Sequence, residues 1–123
     1  MRPFYLTDTQ SNFVDLPPMR ETPGYRVIDG DPRASVRFDI GTADSALRLG
    51  VWMCTLGTFE CVESGDELQT VLEGKLSVTQ ADGTVHEFTS GDSFYTDKGE
   101  RLIWEIVQTV KKVFFAYNRD GAL

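Results

Sequence analysis

From Ala34 onward, turn residues recur at short and regular intervals. The runs between them are rich in Val, Ile, Phe, Tyr, Trp and Thr. That punctuation leaves no stretch of ten residues with a helical period, so the chain must build its core from strands. The spacing predicts strands over 34–40, 46–55, 58–63, 68–72, 75–80, 84–89, 93–96, 101–107 and 110–118. The breaks are Leu56-Gly57, Ser64-Gly65-Asp66, Glu73-Gly74, Ala81-Asp82-Gly83, Ser90-Gly91-Asp92 and Asp97-Lys98-Gly99. Asp82-Gly83 is the strongest hairpin signal, because both residues accept positive φ. Many short, evenly spaced strands imply a sandwich or a jelly-roll barrel. A length of 123 residues suits one such domain.

Residues 1–33 read differently. Pro17-Pro18, Pro23-Gly24 and Gly30-Asp31-Pro32 interrupt any long element, leaving Tyr25-Arg26-Val27-Ile28 as one short strand. We read this segment as an arm lying on the barrel or on a partner, with the barrel domain spanning 34–123. The net charge of −7 repels phosphate backbones and anionic lipid, and Lys111-Lys112 is the only basic pair. Nucleic acid and membrane surfaces are therefore not expected partners. The first residues carry no continuous apolar stretch, and two cysteines are too few for a disulfide scaffold. A cytoplasmic protein with reduced thiols is expected.

Two segments resemble the signature segments of the cupin superfamily. The first runs Gly57-Thr-Phe-Glu-Cys-Val-Glu-Ser-Gly-Asp-Glu-Leu-Gln-Thr-Val-Leu-Glu-Gly74, and the second runs from Gly91 through Gly99 to Trp104-Glu105. Their patterns are G-x5-H-x-H-x3/4-E-x6-G and G-x5-P-x-G-x2-H-x3-N. Glu67 and Gly74 match the first, with Gly57 near its leading glycine, and Gly91 and Gly99 match the second. Gly50-Val51-Trp52-Met53-Cys54 and Trp104-Glu105 are similar to a branch holding the ethanolamine-utilisation cupins and (S)-ureidoglycine aminohydrolase-like barrels. The resemblance implies an all-β, single-domain RmlC-like jelly roll. It also implies a site emptied of its usual metal ligands: Cys61 and Glu63 stand at the two His positions of the first pattern and Leu102 at the His of the second. Asp97 replaces the Pro, Ile106 replaces the Asn, and only Glu67 remains.

Side chains two apart on a strand share a face. Phe59, Cys61 and Glu63 therefore point one way, and Glu67, Gln69 and Val71 share a face of the next strand. In the cupin register both faces look inward, with Leu102, Trp104 and Ile106 closing the far wall. Four readings of this cluster stay open. Cys61, Glu63 and Glu67 form a donor set unusual for a transition metal, mixing a thiolate with carboxylates and lacking imidazole. Glu63 and Glu67 in an apolar barrel are candidate catalytic residues for metal-free acid–base chemistry, because two close carboxylates cannot both ionise cheaply. With Trp52, Phe59, Tyr95 and Trp104 as aromatic walls, the cluster is a pocket for a cationic or hydroxylated small molecule. Last, Glu63 is a solvated residue at the barrel mouth and the aromatics are core.

The expectation is a small-molecule-binding cupin without a cofactor or bound metal, with acid–base chemistry on a polar metabolite left open. The alternative is a non-catalytic assembly subunit with a plugged barrel. A homodimer is expected, because short barrels must cover their sheet edges and Phe4, Tyr5, Leu6, Phe13, Val14 and Leu16 offer apolar groups to a partner. His86, the only histidine, is read as a surface or packing residue, and Cys54 as core.

Overall fold

A computed structural model describes residues 1–121 of the chain. It is built almost wholly of antiparallel strand: β1 (Val14–Asp15), β2 (Tyr25–Gly30), β3 (Ala34–Ile40), β4 (Leu47–Cys54), β5 (Gly57–Val62), β6 (Asp66–Thr79), β7 (Val85–Thr89), β8 (Ser93–Thr96) and β9 (Arg101–Tyr117). Among the described residues the only helical turns are two three-residue 3-10 segments, Leu6–Asp8 and Met19–Glu21. Among the described residues no helix is long and apolar enough to cross a membrane. The all-β fold expected from the turn spacing is observed, and its curled sheet agrees with the jelly roll that the cupin resemblance implied.

Two long strands organise it. The early part of β9, from Arg101 to Ile106, pairs with β5 on one side and with the late part of β6 on the other. The later part, from Val110 to Tyr117, pairs with β4 and with the early part of β6. The sheet curls about this shared pair. β3 extends it beyond β4 and β1 beyond β3, β2 flanks β5, and β7 and β8 flank β6. Residues 14–30 thus give two strands to the sheet, and Met19 enters the core.

The expected separate strands 68–72 and 75–80 are one strand, and so are 101–107 and 110–118. Glu73-Gly74 bends β6 without ending it. Pairing with β9 slips between Val71 and Glu73, between Glu73 and Lys75, and between Lys75 and Leu76, as β-bulges do. Gly74 holds φ at +91°, and a Cβ there would stand 2.2 Å from the Thr109 carbonyl oxygen. Only glycine allows the two backbones to meet at this corner.

Parity along β9 sets the interior. Leu102, Trp104, Ile106, Val110, Phe114 and Ala116 are all buried. They divide between two apolar clusters. The larger includes Phe59, Leu76, Val78, Leu102, Trp104 and Ile106, and the smaller consists of Val36, Phe114 and Ala116; Trp52 packs against both. A cavity of about 310 Å³ is lined by members of both clusters.

Candidate functional site

The cavity walls come from β3, β4, β5, β6 and β9 and from the N-terminal segment, which supplies Leu16, Pro23 and, at the start of β2, Tyr25. On β5, Phe59 and Cys61 point inward as their parity requires, and Glu63 follows at the strand end, still buried. On β6, Glu67 reaches the cavity, and Gln69 behind it is fully enclosed. Trp52 from β4 and Trp104 from β9 face each other with ring centroids 6.2 Å apart, and Phe59 stacks on Trp104 at 6.1 Å. Sequence reasoning therefore brings together Trp52, Phe59, Cys61, Glu63, Glu67 and Trp104.

Tyr95 is not among them. Its partner Leu68 lies between the inward residues Glu67 and Gln69, so Tyr95 falls on the outer face and is 56% exposed. Leu102 stands opposite Cys61 across the β5–β9 ladder, but it packs in the core and borders a separate hollow of about 270 Å³ with Phe88, Phe94 and His86. His86 is exposed and bonds Gln80 through Nε2 at 2.9 Å.

The side chain that sequence reasoning missed is Lys112. It continues the inward even-numbered series of β9, and its side chain is only 6% exposed. Its ammonium lies 4.5 Å from the Trp52 ring centroid and 4.4 Å from that of Trp104, a doubled cation–π contact. It donates to Gln69 Oε1, and Gln69 in turn donates from Nε2 to Thr96 Oγ1 at 3.1 Å. Glu67 Oε1 completes the shell at 4.0 Å. Arg48 was also missed. It shares the parity of Trp52 on β4, lines the cavity and is buried. Tyr25, paired with Cys61 in the β2–β5 ladder, closes one side. The period-two rule, run unbroken along β4 and β9, reaches both basic residues.

Protonation follows from burial. Glu63 is pushed up to about 7, first by loss of solvent, then by the Glu67 carboxylate; the Lys112 ammonium opposes the rise. The Cys61 thiol, whose Sγ lies 3.6 Å from Glu63 Oε1, is pushed up by burial and by that carboxyl. Burial likewise raises the Tyr25 hydroxyl. Near neutral pH the cavity thus presents hydroxyl, thiol and carboxyl protons. The Trp104 Nε1–H is buried without an acceptor.

Residues 41–114 match the EutQ-like cupin domain. The chain belongs to the EutQ-like cupin family. No curated protein gives a significant match. Among solved structures, the chain is similar to the EutQ protein of Clostridium difficile, with a TM-score of 0.62 and 18% identity over 72% of this chain and 71% of that one. A protein of unknown function from Rhizobium leguminosarum matches over 97% of this chain and 98% of its own, at TM-score 0.61 and 20% identity. A DUF861 family protein from Thermotoga maritima is 28% identical over 55% of this chain and 76% of that one, with TM-score 0.52.

Cupins commonly hold a metal through imidazoles, and the residues of this EutQ-like barrel do not fit one. Among the described residues, no three His, Cys, Asp or Glu side chains are grouped so that they could hold a metal ion. Leu102 offers hydrocarbon where the second cupin segment places its His, and the Lys112 ammonium already sits beside Glu67. A divalent cation placed there would face a fixed positive charge within a few ångströms, in a medium of low dielectric.

Proposed function

We propose that this EutQ-like cupin binds a small polar metabolite in its barrel, with Glu63 as a proton-transfer group and no transition metal. One observation carries the reading: a cavity of about 310 Å³ in which a buried carboxyl, held at about 7, stands among an ammonium, a second carboxylate and aromatic walls. A volume at the lower end of the usual ligand range suits a small metabolite. A carboxyl poised near the working pH can both give and take a proton, which is what general acid–base chemistry needs. Lys112 would steady negative charge developing on a substrate, as fixed cations do in dry sites. The free, buried thiols of Cys54 and Cys61 suit a reducing, cytoplasmic setting.

Carboxylate-edited NMR titration tests the proposal. It should show one macroscopic pKa near 7 that shifts when ligand saturates the cavity. It should also climb further in Lys112→Met, because that ammonium favours ionised Glu63. Two ordinary Glu curves near 4.3 would sink the acid–base role.

The assembly reading has an observation of its own. On the outer face, Leu49, Phe115, Leu68 and Tyr95 occupy consecutive cross-strand positions over β4, β9, β6 and β8, and Phe115, Leu68 and Tyr95 are exposed. A large apolar row of this kind suits a second copy of the chain, giving the homodimer expected from the sequence. This surface and the cavity lie on opposite faces of the sheet, so self-association through it is compatible with ligand binding, whereas the plugged barrel of the assembly alternative is not.

A further inference from the structure

The two basic residues on the cavity wall reverse the ligand preference that its carboxylates suggest alone. Arg48 is 5% exposed, and among the described residues it makes no ion pair. Its Nη1 donates to the Ser45 carbonyl at 2.6 Å. A guanidinium has five N–H donors in a planar fork, and among the described residues no Arg48 nitrogen is both enclosed and unpartnered, so the donors left over stay open at the cavity wall. A buried cation without a counter-charge is costly unless something supplies one.

An enclosed donor lies on Trp104, which also lines the cavity. Its indole N–H is a donor only, and among the described residues it has no acceptor. Native interiors seldom leave such a donor empty, so an oxygen brought into the cavity can claim it once the ring shifts to expose it. Arg48 pairs with Ala116 across the β4–β9 ladder and Trp52 with Lys112, so the guanidinium and the Trp52–Lys112 rung are four residues apart. That spacing is roughly 13 Å along the strand, before the side chains bend toward each other. Phe114 lies on the rung between them. Glu67 is already balanced by Lys112, which leaves Arg48 as the cavity's unmatched charge while Glu63 keeps its proton.

We propose that the cavity takes a small organic carboxylate, its carboxylate seated on Arg48, its apolar segment passing Trp52 and Phe114, and a second acceptor oxygen reaching Trp104 Nε1–H beside Lys112. This rests on the small-molecule reading above and gives that ligand its chemical class. It replaces the cationic or hydroxylated ligand expected from the sequence with an anionic one. A phosphate would satisfy Arg48 equally well, but the aromatic middle of the cavity favours an organic body.

Four seven-carbon probes separate the possibilities: 6-oxoheptanoate, heptanoate, heptylamine and heptan-1-ol. The readout is the indole ¹H–¹⁵N spectrum, which has two cross-peaks because Trp52 and Trp104 are the only tryptophans. Saturation with 6-oxoheptanoate should move one indole proton downfield as it gains an acceptor. Heptanoate should bind without that shift, and the amine and alcohol should bind at least tenfold more weakly. Arg48→Gln should weaken 6-oxoheptanoate at least tenfold. Arg48→Lys, which keeps a cation in the same shell and is the safer variant for folding, should weaken it several-fold because the planar fork is lost. Amine or alcohol binding as tight as the carboxylates would overturn the inference and leave the small-molecule cavity standing. Affinity indifferent to both Arg48 variants would overturn it too. If no probe moves either indole peak, the cavity reading fails with it.

Discussion

Glu63 concentrates the account at the scale of one residue. Its carboxyl is held at about 7 against an ordinary 4.5, so the folded state keeps a proton that the unfolded chain releases. Below 4.5 both states are protonated and the group costs nothing. Between 4.5 and about 7 the unfolded state ionises alone, and stability falls as pH rises. A shift of this size corresponds to about 3 kcal/mol in full. Glu63→Gln keeps the shape and removes the titration. Its melting temperature should match the parent near pH 4 and exceed it progressively up to pH 8. A constant difference across that range would mean that Glu63 is solvated. Strand parity with the cupin register turned Cys61, Glu63 and Glu67 inward while a solvated Glu63 stayed open, and the structure brings all three to one cavity. Lys112 stayed hidden because a basic pair on the surface is the commoner fate of two adjacent lysines. Its meaning appears only when parity is carried from Trp104 through Ile106 and Val110 to position 112. Arg48 was legible in the same way from Trp52, at the strand's end where the Ser45 carbonyl accepts a hydrogen bond from it.

Turn chemistry reads well for elements that end and badly for elements that bend. Asp82-Gly83 was read as a hairpin turn, and β6 and β7 pair on either side of it. Glu73-Gly74 carries the same local signal, yet its strand runs on, because bulges absorb the kink while β9 keeps its pairing. What distinguishes the two is the neighbour. A Cβ at Gly83 meets nothing within 4 Å, whereas at Gly74 it meets the backbone of Thr109 and Val110. Both hold positive φ. Gly83→Ala should therefore cost only the left-handed backbone penalty, about 1 kcal/mol. Gly74→Ala should cost several kcal/mol, on the order expected when a strained backbone is also overpacked. Urea midpoints of the two variants check this. Equal losses would mean that the β6–β9 corner yields more easily than its contacts imply. No local pattern could have revealed that corner, since it depends on residues 35 positions downstream.

For the whole molecule, the β-jelly roll was legible from spacing and from the two signature segments, while the division of surfaces was not. One face of the β4–β9–β6 sheet lines a cavity that carries its own cation, and the other carries an exposed apolar row. If that row is the dimer interface, Phe115→Glu should dissociate the protein in light scattering at micromolar concentration and leave ligand binding intact. A dimer unaffected by Phe115→Glu would move the contact elsewhere. In the cavity, Lys112 stands beside Glu67 and donates to Gln69, an arrangement that does not suit a transition metal and from which we propose that none is bound. Elemental analysis of untagged protein, purified without chelators, is the test. Well under one equivalent of zinc, manganese, iron, nickel and copper together is expected. A full equivalent of one metal, lost on Glu67→Ala or Cys61→Ser, would contradict it.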